Sequence, residues 1–574
     1  MIAKTCLKSA SKSHQSHQTL YSASSKPPTM TRVRCLLSVA VASSLLLVGC
    51  NDDNNTTTTG YPTLVQPVSR FNAAEIDNQL LLAEKASLGA TLTAPATCGV
   101  TVEKISYPTQ GSAGEATNAT AALMLPNGDA ADCQGSRPVL LYAHGTDIEK
   151  SYDLTQVGNN DNPAAANATL IAANYAAQGY IVIAPNYAGY DSSALDYHPY
   201  LDAKQQSAEM VHALDSARLL MNQQHAANNS NYTKIKDSGK LFISGYSQGG
   251  HVAMATARLL QQAGKPVTAI APASGPYALA AFSDAMFAGK VGGGATAFTP
   301  LLATAMQRSY GGIYQNPTDA FTANYANTKL PNMLSFSELI MAGKLPQTAL
   351  FQATQTEQGF GFADKDYLIQ SSFRAAYLAD AQARPDGLFI ANGNGMPAND
   401  PQFNIRKALK VNDLRGYVPT MPTLLCGGNQ DPTVFYDLNT GSMMALLQGA
   451  NASITNPAAQ LNVTILDVDA TNEATRKQPT GIPIGNALKN PWMLTSAITT
   501  VQENFANKVG QVSGTAFNAA YKQALANGLS STEATKAATE AAQVTIASTY
   551  HGGLASIACN QATREFFDQE FAKS

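Results

Sequence analysis

The stretch Lys240-Leu241-Phe242-Ile243-Ser244-Gly245-Tyr246-Ser247-Gln248-Gly249-Gly250 constrains the fold of this chain more than any other. Lys240 to Ile243 is short and apolar enough for a buried strand, and His251 to Leu260 is rich in Ala and Leu at helical spacing. Between them lies Gly-x-Ser-x-Gly. A strand that turns at once into a helix strains the central serine and lifts its hydroxyl clear of the sheet. Gly245 and Gly249 flank the serine where larger side chains would clash, and the helix N-terminus faces the serine oxygen. Ser247 is the candidate nucleophile.

A nucleophilic serine needs a base and an acid to orient it, and in folds with this turn they follow in the order Ser, Asp or Glu, His. Of the eight histidines only His551 lies well downstream of Ser247. It sits in Ser548-Thr549-Tyr550-His551-Gly552-Gly553-Leu554, read as a Gly-containing loop before a terminal helix over Ala555 to Phe567. For the acid, Met421 to Gly428 reads as a buried strand ending in a glycine turn, with Asp431 just beyond it. A carboxylate past a strand end is well placed to hold an imidazole by its Nδ1 proton. Asp431 could instead be only a turn residue before Pro432, and Asp467, after Val463-Thr464-Ile465-Leu466, is the competing acid. Arg137 to Ala143 is another strand, ending in His144-Gly145-Thr146-Asp147. The loop after such a strand and the residue after the nucleophile supply the N–H groups of an oxyanion hole. Those residues are Thr146 and Gln248, with Asp147 the alternative to Thr146 and His144 bracing the loop.

Ile183-Ala184-Pro185-Asn186-Tyr187-Ala188-Gly189-Tyr190, His198-Pro199-Tyr200, Gly245 to Gly250 and Ala273-Ser274-Gly275-Pro276-Tyr277 resemble the secretory lipase family and its bacterial relatives. The likeness covers Cys98 to Gly275 well, and the Asp431 and His551 segments by pattern. It implies a capped α/β-hydrolase that cleaves carboxylic esters without a metal or other cofactor, with Ser247, Asp431 and His551 as its triad. Two departures stand out. Asn186 occupies the place of the family's Asp, which puts a supporting contact in question, and a long insertion separates Asp431 from His551.

Charged residues make up 13% of the 574, and the net charge is −3, so no basic stripe suits the chain to nucleic acid. The leader is more specific. Thr31-Arg32-Val33-Arg34 is a basic n-region, and Leu36 to Val48 is apolar but short for a membrane span. Leu47-Val48-Gly49-Cys50 resembles the lipobox of bacterial lipoproteins, which implies cleavage before Cys50, its diacylation, and tethering at the cell envelope. Asn51 after it leans towards the outer membrane. A plain secretory signal is the alternative. Met30 reads as the native start, leaving 1–29 as an upstream extension, 30–49 as signal peptide and 50–64 as polar linker. With Cys6, Cys35 and Cys50 assigned to the leader, Cys98, Cys133, Cys426 and Cys559 remain in an oxidising compartment. The expected pairs are Cys98–Cys133, bracketing one hairpin, and Cys426–Cys559, pinning the acid and base loops; free thiols are the alternative.

The rest of the chain reads as strands alternating with helices, which argues for a mostly parallel sheet. Arg70 to Leu88 has helical spacing, strands are expected over 99–107, 117–125, 138–143, 180–184 and 267–273, and Lys204 to Met221 is amphipathic. The α/β-hydrolase core is expected in two parts, 65–275 and 417–574, around a helical cap over 276–416 that shapes an acyl pocket. Phe360, Phe362, Tyr367 and Leu368 read as core rather than pocket. A second insertion, about 470–549, holds the only tryptophan, Trp492, and an Ala-rich helical run from Thr515 to Ala547. The expected protein is a monomeric, exported serine esterase or lipase acting on small-molecule or lipid esters. Acyl transfer, peptide hydrolysis or a non-catalytic binding role on the same fold are its rivals.

Overall fold

The computed structural model describes residues 60–86, 94–456, 459–470 and 496–574. The expected signal peptide, the lipidation site Cys50 and Trp492 lie outside the described residues.

The chain opens with strand β1 (Thr63–Phe71), helix α1 (Ala73–Ala86), β2 (Gly99–Gln110), β3 (Ala116–Asn127), β4 (Gly135–Ala143) and α2 (Ala165–Asn174). There follow β5 (Ile181–Pro185), α3 (Ala203–Ala226), β6 (Ile235–Tyr246), α4 (Gln248–Gln262) and β7 (Ala269–Ala273). β5 and β7 are buried at every position, the mark of strands covered on both faces. Beyond the cap come β10 (Thr423–Gly427), α11 (Ser442–Ala452) and β11 (Val463–Asp467). Among the described residues these strands form one sheet in the order β1-β2-β3-β5-β4-β6-β7-β10-β11. β1, β2 and β3 pair antiparallel, β3 is antiparallel to β5, and every later pair is parallel. This is the α/β-hydrolase sheet expected from the sequence.

Between β7 and β10 lie the cap helices α5 (Leu279–Phe287), α6 (Ala295–Tyr310), α7 (Pro317–Ala320), α8 (Phe336–Met341), α9 (Ser371–Ala383) and α10 (Asn404–Val411), with a small two-stranded pair. The paired strands are β8 (Phe351–Gln352) and β9 (Phe362–Ala363). The cap encloses an apolar core of its own, including Leu301, Met306, Leu339, Leu368 and Tyr377. Two arginines bind this region together. Arg406 bridges Asp284 and Asp380 at 2.7 and 2.8 Å, and fully buried Arg415 bridges Asp386 and Asp413 at 2.7 and 2.9 Å. Leu368 belongs to that core and Phe362 packs against it, whereas Phe360 is exposed.

Three local readings are corrected. The stretch expected to be helical from Arg70 is strand as far as Phe71. Arg70 and Phe71 pair with Thr101 and Val100 of β2, so sheet pairing overrides helical spacing, and the strand starts inside the expected linker. Pro67 falls at a register shift in this edge strand, where a missing N–H does no harm. The helix begins only after Asn72, whose side chain accepts from the Glu75 N–H at 3.0 Å while Glu75 accepts from the Asn72 N–H at 2.7 Å. The Ala-rich run is likewise two helices, α12 (Ser496–Ala526) and α13 (Ser531–Thr549). They are divided at Gly528, which has a positive φ, and α13 restarts on a Ser530–Glu533 capping box. Finally, the loop expected around His551 is a π-helical turn, Tyr550–Ala555, joining α13 to α14 (Ser556–Lys573). The widened turn carries Gly552 and Gly553 and keeps the backbone hydrogen-bonded while displacing one side chain from the helical register.

Both expected disulfides are formed, Cys98–Cys133 and Cys426–Cys559, with Cα–Cα distances of 5.5 and 5.7 Å. The second ties β10 to α14 across 133 residues.

Candidate active site

The turn between β6 and α4 holds Ser247 at φ 60° and ψ −123°, a conformation a residue with a Cβ adopts only under strain. The two glycines explain how it fits. A Cβ on Gly249 would lie 1.9 Å from the Ala143 carbonyl oxygen, and one on Gly245 would lie 2.3 Å from the Gly249 carbonyl oxygen. The turn is thus pressed against the end of β4, with Gly145 beside Ser247.

His551 meets that serine from the far end of the chain. Its Nε2 lies 2.8 Å from Ser247 Oγ, and its Nδ1 lies 2.5 Å from Asp431 Oδ2. An ionised carboxylate only accepts, so Nδ1–H donates to Asp431 and Nε2 is left to accept the serine hydroxyl proton. Asp431 spends its other oxygen on its own loop, Oδ1 accepting from the N–H groups of Thr433 and Val434 at 2.9 and 3.0 Å. Both readings of Asp431 therefore hold at once: it shapes the turn at Pro432 and contacts the imidazole.

The competing acid has a different task. Asp467 accepts from the Asn429 N–H and side-chain amide at 3.2 and 2.9 Å, anchoring the loop that presents Asp431. Asp469 extends the anchor, accepting from Gln430 Nε2 at 3.1 Å and from the Tyr550 hydroxyl at 2.8 Å. The acid loop and the residue before His551 are thus tied to the same strand end.

Gln248 follows Ser247 directly, and Thr146 follows Gly145, which lies beside Ser247. Gln248 begins α4, where the first N–H groups have no intrahelical acceptor. Those of Gly250 and His251 fold back onto the Ser247 carbonyl. Asp147 is turned to the loop itself, its carboxylate accepting from the Glu149 N–H at 2.7 Å and its carbonyl from the Tyr190 hydroxyl at 2.5 Å. His144 is buried between the rings of Tyr152 and Tyr187, with centroids 4.5 and 4.1 Å away. Burial pushes it down to about 4, although both ring nitrogens face carbonyl oxygens, of Gly145 and Asn186.

Asn186 has a clear reason to be an amide. Its Oδ1 accepts from the Leu154 N–H at 2.8 Å, and its Nδ2 donates to Thr120 Oγ1 at 2.9 Å and to Asp153 Oδ1 at 3.2 Å. Asp153 is paired with Lys104 at 2.7 Å, so this buried cluster already holds its carboxylate.

A narrow apolar cavity of about 60 Å³ opens from Ser247 and Gln248 into the cap. Phe282, Met286, Phe298, Leu302 and Leu409, from α5, α6 and α10, are among the apolar side chains of its wall. None of Phe360, Phe362, Tyr367 and Leu368 reaches it. Helical spacing marks which side of a cap helix is buried, but the neighbour that buries it is set by packing, so these wall residues carried no signal of their own.

The dienelactone hydrolase family model matches residues 156–277, a segment that includes Ser247 but neither Asp431 nor His551. Among solved structures, the chain is similar to the rice cell wall degrading esterase LipA from Xanthomonas oryzae. The identity is 24%, the match covers 77% of this chain and 96% of that one, and the TM-score is 0.55. It is also similar to a putative hydrolase from Legionella pneumophila, at 22% identity over 71% of this chain and 91% of that one, with a TM-score of 0.51. No curated protein matches the chain. The chain carries the α/β-hydrolase fold, and the family match around the Ser247 turn supports a hydrolase.

Proposed function

We propose that the protein is a serine carboxylic-ester hydrolase, an esterase or lipase, acting through an acyl-enzyme on hydrophobic esters. The observation that carries this reading is the continuous hydrogen-bonded chain from Ser247 through His551 to Asp431. Ser247 Oγ attacks the ester carbonyl as His551 Nε2 takes its proton, and Asp431 stabilises the imidazolium. The Thr146 and Gln248 N–H groups hold the oxyanion. Collapse of the tetrahedral intermediate expels the alcohol, protonated by His551, and water releases the acid by the same steps in reverse roles. The apolar cavity beside Ser247 suits a hydrocarbon acyl group, and among the described residues nothing charged lines it.

The signal and Cys50 make the protein an exported, lipid-anchored enzyme of the bacterial cell envelope, and the two disulfides support an oxidising compartment. The test is hydrolysis of p-nitrophenyl esters from acetate to palmitate by the wild type and Ser247→Ala. Activity abolished by the substitution supports the mechanism, and the chain-length optimum separates esterase from lipase. A folded wild type inert on every ester sinks the proposal. Incorporation of a labelled fatty acid, lost in Cys50→Ala, tests the anchor.

A further inference from the structure

One three-residue segment touches the side chains of both candidate oxyanion donors. His198 Nδ1 lies 3.0 Å from the Ala188 carbonyl oxygen, and its Nε2 lies 2.6 Å from Gln248 Nε2. Burial pushes His198 down to about 3, so the ring is neutral. Both contacts are satisfied when Nδ1 carries the hydrogen and Nε2 accepts from the Gln248 amide. Two residues on, the Tyr200 hydroxyl lies 2.8 Å from Thr146 Oγ1.

The segment is itself rigid. Pro199 has a fixed φ, the Tyr200 N–H bonds back to the His198 carbonyl at 2.7 Å, and the Leu201 N–H donates to Gln206 Oε1 of α3 at 2.9 Å. His198 and Tyr200 are both buried, and neither contacts Ser247, His551 or Asp431 by hydrogen bond among the described residues.

We propose that His198-Pro199-Tyr200 is a positioning element for the oxyanion hole, in which His198 orients Gln248 and Tyr200 orients Thr146. The proposal rests on the Ser247 esterase reading. The backbone N–H groups do the stabilising; the segment fixes the two residues that bear them, one after β4 and one at the start of α4. Because an oxyanion hole serves the transition state rather than the bound ester, loosening it lowers kcat and leaves KM.

The experiment compares Tyr200→Phe, which removes a hydroxyl only, with Gln248→Met, which removes the amide held by His198 and keeps the backbone N–H. On p-nitrophenyl butyrate each is expected to lose about 5- to 20-fold in kcat with KM within about twofold. Affinity for a trifluoromethyl ketone, whose adduct places an oxyanion in the hole, falls by the same factor while that for the unfluorinated ketone holds. Thr146→Val combined with Tyr200→Phe loses no more than the larger single loss, because both remove one contact. An unchanged kcat in Tyr200→Phe, parallel loss of both ketones, or additive losses in the double variant would overturn the proposal while leaving the esterase reading intact. A wild type whose ester hydrolysis survives Ser247→Ala removes the esterase reading, and this proposal with it.

Discussion

The hydroxyl of Tyr246, the residue just before the candidate nucleophile, donates to the backbone carbonyl of His551 at 2.7 Å across 305 residues of chain. Their rings also lie 5.1 Å apart. The strand that carries Ser247 therefore holds the backbone of His551 directly, while the His551 side chain reaches back to Ser247. With Tyr550 bonded to Asp469, the π-helical turn is tied on one side to the end of β6 and on the other to the end of β11. Three distant segments are registered at one point by hydrogen bonds that do not themselves take part in proton transfer.

Asp431→Asn tests the orientation of His551. The amide keeps an oxygen for the Thr433 and Val434 N–H groups but turns an NH2 towards Nδ1. That reverses the tautomer, so Nε2 carries the hydrogen and cannot accept from Ser247. The expected loss in kcat on p-nitrophenyl butyrate is about 10⁴-fold, with thermal stability close to wild type. A loss under about tenfold would remove Asp431 from the mechanism.

Replacing both Cys426 and Cys559 by serine releases a loop of 133 residues and loosens the attachment of α14 to β10. Unfolding free energy is expected to fall by about 2–5 kcal/mol in urea under non-reducing conditions. Ester hydrolysis should inactivate at a lower temperature than in the wild type. Equal urea midpoints for the two proteins would show that the crosslink adds nothing to stability.

Asn186→Asp restores the residue that the secretory lipase resemblance leads one to expect. It exchanges a donor 3.2 Å from Asp153 for a second carboxylate inside a buried cluster. The expected destabilisation at pH 7 is about 2–4 kcal/mol, shrinking towards pH 4 as one carboxyl takes a proton. Equal stability at pH 7 would contradict this account of the amide.

Stability should fall on mild acidification. His198, His144 and His251 are held to about 3, 4 and 4 by burial. The unfolded chain binds those protons near pH 6.5. Glu209 works the other way: burial lifts it to about 7, although it accepts from the Ala188 N–H, so the folded chain keeps a proton that the unfolded chain releases. Asp147, lifted to about 6 by burial, opposes in the same way. Between about pH 4.5 and 6 unfolding thus takes up about one proton net. Unfolding free energy then drops by on the order of 1–2 kcal/mol per pH unit as pH falls near 5. Urea midpoints at half-unit steps measure the slope, and a midpoint that rises on acidification would refute the assignment.

Leu302→Trp narrows the cavity on its α6 side. Acetate hydrolysis is expected to stay within a few-fold of wild type, whereas esters of eight carbons and longer lose more than about tenfold in kcat/KM. An unchanged chain-length profile would place the acyl group elsewhere.

Much of this site was legible in the chain because its strongest signal is local. A buried strand, Gly-x-Ser-x-Gly and an alanine-rich helix lie within about twenty consecutive residues, and close backbone approach dictates both glycines. His551 was found by order along the chain, since no other histidine lies far downstream of Ser247. The choice between Asp431 and Asp467 was of another kind. Asp431 lies beyond β10 whereas Asp467 ends β11, and the two strands lie side by side in the sheet, so both carboxylates sit at the same end of it. The glycine turn after Cys426 favours Asp431, but local pattern leaves Asp467 in contention. The strand Thr63–Phe71 is not legible in the chain because its partner β2 supplies the pairing, nor is the π-helical turn, whose reason lies in bonds to Tyr246, Gln430 and Asp469.

By itself, then, the sequence determined the mostly parallel α/β architecture and the strained serine, both of which follow from local patterning and steric need at glycine. Tertiary structure decided that Asp431 and not Asp467 meets His551, that the four cysteines pair rather than stay free, which helices wall the cavity, and how Tyr246, His198 and Tyr200 brace the groups around Ser247. Those are matters of proximity between residues tens to hundreds of positions apart. Proximity is set by how the elements pack and cannot be read from any one of them.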